Sequence, residues 1–500
     1  MSSPFFAAAT VVIDPWTWFF LIFAVALALS FEFVNGFHDT ANAVATVIYT
    51  NALKPVPAVI WSGIWNFLGV LFSSGAVAFG ITALLPAELV LNIGSTAALV
   101  MVFAMLGSAI FWNLGTWWLG IPASSSHTLI GSILGVGVAN ALLSPAHSIS
   151  DGVNWSKAQD VGLALLISPA VGFVVAALLL LASKALIKNP ALYRAPEGKT
   201  PPPFWIRSLL LLTCTGVSFA HGSNDGQKGM GLIMLILVGI LPGVYALKMD
   251  ASQTDLQKVV AAAETLQTAF ARESRGILLT DTEADNELAS FIKANGALTA
   301  RTYAALTSVC GDLISRLKGA ANLEAAPFEE RGGIRADLFL LSKSLDKMER
   351  EPAVADSRLA AASRELREGG QTLTNHIPTW VKVAVAVALG LGTMVGWKRV
   401  VVTVGEKIGK THLTYAQGGA AQLTAMGTIL AADHFGLPVS TTHVLSSGIA
   451  GTMSANRSGL QKDTIRNILL AWLLTLPVCT FLGAMFFAFA MNAIGLLGVK

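Results

Sequence analysis

Four stretches of the chain, Ala58–Leu84, Ala97–Leu119, Val161–Ala182 and Ile468–Phe489, are 22 residues long or longer and contain no Asp, Glu, Lys or Arg. About 20 apolar residues in helical form cross the hydrocarbon core of a bilayer. Shorter uncharged runs cover Trp16–Phe31, Ser208–Ala220, Leu232–Tyr245 and Val383–Trp397. Only 13% of the residues are charged and 54% are hydrophobic, against roughly 25% charged in a soluble protein. The expected class is an all-α polytopic membrane protein. The first positive residue is Lys54, so the charged n-region of a secretory signal peptide is missing, and Trp16–Phe31 reads as part of a retained first helix. Cys214, Cys310 and Cys479 are too few and too scattered for a disulfide framework or a metal site.

The chain repeats itself. NGFHDTANAVAT begins at Asn35 and HGSNDGQKGMG at His221; aligning Gly36 with Gly222 puts Asp39 on Asp225, an offset of 186 residues. GIPASSSHTLIGSILG begins at Gly120 and GLPVSTTHVLSSGIAG at Gly436, which aligns Pro122 with Pro438 and His127 with His443 at an offset of 316. The offsets differ by 130, the length of one segment unlike the rest, 249–378, which holds 34 of the chain's 63 Asp, Glu, Lys and Arg residues. Removing it brings both motif pairs into one register. The expected organisation is a first membrane repeat over 1–183, a cytoplasmic linker over 184–207, and a second repeat over 208–248 and 379–500, interrupted by an extramembrane insert over 249–378. Apolar residues in the insert recur at helical spacing in AAAETLQTAF, DLISRLKG and ADLFLLSKSLDKMER, which predicts an accessory helical bundle.

Positive charge collects at 184–207 (Lys184, Lys188, Arg194, Lys199, Arg207), at 397–410 (Lys398, Arg399, Lys407, Lys410) and at Arg457–Arg466. Cytoplasmic loops carry an excess of Lys and Arg, so these segments are expected inside. The first-half counterparts of the last two, near Leu85–Asn92 and Asn140–Asp160, carry only Lys157 as a positive residue and are expected outside. Corresponding loops on opposite sides are the signature of inverted-topology repeats. The same bookkeeping puts the insert and both termini outside. Ser208–Lys248 as one straight helix would be about 60 Å long, twice the thickness of the core. A break is therefore expected at HGSND, and the same excess in Trp16–Leu53 predicts one at NGFHD, so the fold should contain broken or re-entrant helices.

Ionisable groups inside spanning segments are expensive and usually functional, which singles out Asp39 and Asp225. A carboxylate cannot attract an anion, so these two are expected to hold a coupling cation or a proton. In PASSSH and PVSTTH, a proline precedes Ser124, Ser125, Ser126 and His127 in one repeat, and Ser440, Thr441, Thr442 and His443 in the other. Proline followed by Ser or Thr signals a helix start, and helix N-termini bind anions through free N–H groups and the helix dipole. Two such ends would offer N–H and O–H donors to a tetrahedral oxyanion. His127 and His443 are either proton carriers or packed, hydrogen-bonded rings. Asn42 and Lys228 follow their aspartates by three residues, on one helix face; Lys228 either neutralises Asp225 or contacts substrate. Glu32, seven residues before Asp39, shares that face.

At these residues the chain resembles the Pit family of inorganic phosphate transporters, most closely its bacterial low-affinity permeases. The resemblance is carried by FEFVNGFHDTANAVATVIYT, FWNLGTWWLGIPASSSHTLIGSILGVG, SFAHGSNDGQKGMGLIMLILVGI, GWKRVVVTVGEKIGK and LPVSTTHVLSSGIAGTM. It implies a symporter in the bacterial inner membrane that works by alternating access, commonly as a homodimer. Its substrate would be inorganic phosphate, with arsenate as an analogue, taken up with protons and as a complex with a divalent metal such as Mg2+. No permanently bound cofactor, protein-held metal or nucleic acid is implied. The family's Gly-Ala-Asn-Asp-x-x-Asn motif falls on Gly36, Phe37, His38, Asp39 and Asn42, and on Gly222, Ser223, Asn224, Asp225 and Lys228. His38 and Lys228 stand where the family has Asn. Amide oxygens suit a hard cation such as sodium, and these departures argue for protons instead, with the Lys228 ammonium in one cation position. A sulfate or other oxyanion carrier is the alternative, and an anion channel a weaker one. An enzyme is disfavoured, because no metal cluster, nucleotide loop or nucleophile–base pair is present in the sequence.

Overall fold

A computed structural model describes residues 14–39, 41–84, 95–143, 149, 152–293, 296–320, 322–349 and 357–496. The expected external segment Leu85–Asn92 and the chain ends lie outside the described residues. Among the described residues the regular elements are all helical. They divide into two compact units, one containing Met234–His376 and the other containing Thr96–Ile233 with most of the first 86 and last 124 residues.

In the larger unit, α1 (Pro15–Asp39) leads to α2 (Ala41–Tyr49), and α3 (Pro55–Leu71) starts on a proline, whose fixed φ and missing N–H suit a first helical turn. The chain then bends by 75° into the short α4 (Ala76–Thr82). Next come α5 (Thr96–Trp118), α6 (Ser125–Leu143) and α7 (Trp155–Leu186), and then α8 (Phe204–Ile240). After the interruption, α14 (Thr379–Met394), α15 (Lys398–Glu406), α16 (Tyr415–His434), α17 (Thr441–Ala455) and α18 (Lys462–Leu496) follow. A helix that starts on a hydroxyl motif and is followed by a final long helix occurs twice among the described residues. Six helices among the described residues are long and apolar enough to cross a membrane. Apolar side chains such as Leu166, Leu473 and Phe489 stand more than 70% exposed on α7 and α18, as on a surface that lipid covers. The chain is a multi-pass membrane protein.

Packing interleaves the two halves. Helix α6 of the first half lies against α18 of the second, and α17 of the second lies against α7 of the first. The contacts use small residues, which let helix backbones approach closely in the absence of a hydrophobic driving force between helices. A Cβ on Gly135 would overlap the carbonyl oxygen of Thr480, and one on Gly451 would overlap that of Phe173. Those two glycines occupy equivalent positions in the 316-residue register.

One expectation is corrected. Helix α8 runs without interruption from Phe204 to Ile240, straight through HGSND. The motif's polar side chains find partners without breaking the helix: His221 on Asn66, Ser223 and Gln227 on Asp433, and Asn224 on the Leu437 carbonyl. Gly222, expected to help break the helix, instead admits the Asn66 backbone.

The smaller unit contains α9 (Gln253–Glu273), α10 (Asp281–Phe291), α11 (Ala300–Leu317), α12 (Arg331–Met348) and α13 (Ser357–Thr374). Capping side chains fix the helix starts: Ser252 for α9, and capping boxes at Thr280/Glu283 and Thr299/Thr302 for α10 and α11. Leu256, Val259, Leu266, Phe270, Leu306 and Leu341 are among its core residues. Arg316 Nη1 pairs with Asp337 Oδ2 at 2.6 Å inside this bundle. Burial pushes the Asp337 carboxyl up to about 7, against the opposing pull of the Arg316 charge.

Candidate functional site

The two aspartates come together. Asp39 ends α1 and Asp225 lies mid-way along α8, and both are buried. His221, one helical turn before Asp225, turns Nε2 toward both: 3.5 Å from Asp225 Oδ2 and 3.8 Å from Asp39 Oδ2. Its other nitrogen, Nδ1, donates to Asn66 Oδ1 at 2.8 Å. Asn66 presents its oxygen here because its Nδ2 donates to Thr393 Oγ1 at 3.1 Å. That bond places the proton of a neutral His221 on Nδ1, so the Nε2 lone pair confronts two carboxylates. Three acceptor atoms facing one another within 4.8 Å repel unless a proton or a cation sits among them. The site is chemically a cation trap.

The rest of the cluster surrounds this trap. Ser125 Oγ donates to Asp39 Oδ2 at 2.8 Å and lies 3.4 Å from Asp225 Oδ2; Thr442 Oγ1 donates to Asp39 Oδ1 at 2.6 Å. Lys228 Nζ is 2.8 Å from Asp225 Oδ2 and fully buried. His38 bridges Asp39 Oδ1 at 3.4 Å and Thr116 Oγ1 at 3.2 Å. Both hydroxyl motifs therefore meet at Asp39, one from each half.

The remaining candidates fall around this centre. Ser124 and Ser440 cap their helices, accepting from the N–H groups of His127 and His443 at 3.2 and 3.1 Å. Ser126 Oγ donates to the Val439 carbonyl at 2.7 Å, and Thr441 is buried in the first turn of α17. Asn224 Nδ2 donates to the Leu437 carbonyl at 3.2 Å, holding the loop that leads into α17. The rings of His127 and His443 lie 4.5 Å apart, with Trp472 stacked on His443 at 4.0 Å. The side chain of Asn42 lies outside the described residues. Glu32 is buried with its carboxylate against the backbone of Gly229, 3.5 Å from Asn35 Nδ2.

Sequence reasoning passed over His221, Asn66, Gln227 and Asp433. His221 carried a signal, since it opens the HGSND motif and lies at i−4 from Asp225, on the same helix face. Asn66 and Asp433 carried none, because their roles depend on contacts across more than 150 residues.

Apolar helices converge buried carboxylates, an imidazole and hydroxyls on one internal point, an arrangement that fits a membrane transporter. Residues 35–483 match the phosphate transporter family, and the chain belongs to that family. It is 42% identical over 487 residues to the low-affinity inorganic phosphate transporter PitA of Escherichia coli (strain K12), covering 94% of this chain and 96% of that protein. It is 41% identical over 505 residues to PitB of the same organism, covering 96% and 99%. A probable low-affinity inorganic phosphate transporter of Bacillus subtilis (strain 168) is 30% identical, with 95% and 97% covered. A solved structure described as the sodium-dependent phosphate transporter shares the fold, with a TM-score of 0.51 at 19% identity over 95% of this chain and 99% of that one. The family and these relatives are transporters, not enzymes.

Proposed function

We propose that the protein is a symporter that imports inorganic phosphate across the bacterial inner membrane, by alternating access between inverted repeats, with protons as the coupling ion. The observation that carries this reading is the confrontation of His221 Nε2 with Asp39 and Asp225. A proton entering there converts three mutually repelling acceptors into a hydrogen-bonded, charge-balanced group. As Asp39 gives up negative charge to that proton, the hydroxyls of Ser125 and Thr442 are released to donate to a phosphate oxygen. Anion binding and proton binding thus favour each other, which is the thermodynamic content of coupling. Lys228 supplies fixed positive charge beside Asp225, where a sodium-coupled protein would use an ion. A homodimer, outward-facing termini and an external insert complete the proposal, as does entry of phosphate together with Mg2+.

The test is uptake of labelled phosphate into liposomes holding the pure protein, with pH, sodium and Mg2+ gradients imposed separately. Uptake driven by a proton gradient, blocked by arsenate and indifferent to sodium supports the reading. Strict sodium dependence removes the proton assignment, and competition by sulfate in place of arsenate removes the phosphate assignment.

A further inference from the structure

Asp433, the penultimate residue of α16, has no role in the cation trap, yet two side chains of α8 converge on it. Its Oδ2 accepts from Ser223 Oγ at 2.6 Å and its Oδ1 from Gln227 Nε2 at 2.5 Å. Gln227 Oε1 in turn accepts from the N–H of Val77 at 2.9 Å, at the start of α4. The chain therefore runs from α16 through Gln227 of α8 to the start of α4.

The repeat register locates a counterpart. Ser223 aligns with Phe37 at the offset of 186, and Asp433 aligns with Trp117 at the offset of 316. Phe37 and Trp117 are in contact, with ring centroids 5.0 Å apart and planes at 63°. Trp117 Nε1 donates to the Gly396 carbonyl at 2.7 Å, between α14 and α15. This second chain runs α1 to α5 to the link between α14 and α15. Each clamp joins the Asp-bearing helix of one half, the helix before that half's hydroxyl motif and a segment of the other half. Asp39 and Asp225 are themselves at most 2% exposed.

We propose that these clamps are the two gates of the transport path, and that Asp433 is a positioning residue whose release opens the external end. The sides follow from charge. Trp117 lies under Arg399 at 5.3 Å, on the basic 397–410 segment that the charge bias assigns to the cytoplasm. The Asp433 clamp then faces outward. The chemistry of the clamps differs although their positions are equivalent. Opening the outer one exchanges hydrogen bonds of a carboxylate and a carboxamide for bonds to water. Opening the inner one exposes two aromatic rings to water, which is unfavourable in proportion to their area.

This inference rests on the transport reading above, and one experiment separates the two. A reporter cysteine is placed at buried Ala123 (Ala123→Cys) in the full-length protein, whose own three cysteines are buried. Its modification by a membrane-impermeant maleimide is measured from each face of oriented vesicles, alongside phosphate uptake. Asp433→Asn and Ser223→Ala are expected to raise labelling from outside about tenfold, the shift that loss of one charge-assisted hydrogen bond makes in a two-state equilibrium. Trp117→Ala is expected to raise labelling from inside only, and Asp433→Glu to restore labelling close to the parent's. Labelling unchanged by Asp433→Asn and Ser223→Ala, or raised equally from both faces, overturns the gate assignment. Sided labelling in a protein that moves no phosphate under any gradient overturns the transport reading and leaves the gates standing.

Discussion

Asn66 Oδ1 accepts a hydrogen bond from His221 Nδ1 at 2.8 Å, across 155 residues of sequence, and thereby decides which nitrogen of the imidazole faces Asp39 and Asp225. The residue that sets the chemistry of the site is thus one that never touches the two carboxylates through its own side chain.

Replacing Asn66 by Leu keeps the branched outline of the side chain and removes the acceptor. The Nδ1 proton is then free to move to Nε2, and His221 becomes a neutral donor to the aspartates with no need of an incoming proton. Loss of such orienting partners lowers activity by about 10–100-fold in metal-bound histidines, and a fall of that order is expected in proton-driven uptake. Phosphate exchange at equal pH on both sides should be less affected, so the ratio of net uptake to exchange is the readout.

Lys228 and Asp225 form a buried pair at 2.8 Å. Lys228→Met strands the carboxylate, and breaking a buried pair from one side costs about 3–5 kcal/mol; a clear fall in the thermal midpoint of the detergent-solubilised protein is expected. Lys228→Asn places an amide at the position that Asn42 occupies in the first motif and removes the fixed ammonium. Uptake by that variant should respond to sodium, and its failure to do so would mean that Lys228 does not occupy a cation position.

Ser125 serves both aspartates from one hydroxyl. Hydrogen bonds to charged groups contribute about 1.5–3 kcal/mol, so Ser125→Ala is expected to raise the KM for phosphate by roughly 10–100-fold. Ser126→Ala, which loses only a bond to the Val439 carbonyl, should change it by far less. Comparison of the two in one uptake assay checks that the centre lies at Asp39 rather than along the whole hydroxyl run.

Gly135→Ala inserts a methyl group into the carbonyl of Thr480. Overpacking costs about 1–3 kcal/mol, and Gly451→Ala should cost a similar amount at its equivalent position. A lowered melting temperature in both, with the KM unchanged, is the expected pattern.

The apolar runs marked the helices and the paired motifs marked candidate residues that the fold brings together, because both are local patterns that one stretch of chain displays in full. Asp39, Asp225 and the Ser125 and Thr442 hydroxyls were visible as buried-polar residues in apolar surroundings. Length arithmetic failed at HGSND, where it assumed that a polar stretch inside a spanning helix must unwind. Asn66 and Asp433 supply the missing partners from distant segments, so α8 stays helical. Asn66 is an ordinary residue in an apolar helix until His221 arrives beside it, and no spacing rule links positions 66 and 221. The direction of the hydroxyls was equally hidden: a helix-start signal predicts free donors, and only the fold brings Asp39 within their reach.

The interleaving of α6 with α18 has a consequence for biosynthesis. Leu143, the last residue of α6, precedes Lys462, the first of α18, by 319 residues. At about 5–20 residues per second, the ribosome needs roughly 15–60 s to produce the partner of a helix that has already left the tunnel. During that interval the polar Ser125–His127 turn and the bare glycine face of α6 must be sheltered by something other than native contacts. The protein is therefore completed from its last helix backwards, and a nascent chain stalled before Lys462 is a substrate for quality control rather than half a transporter.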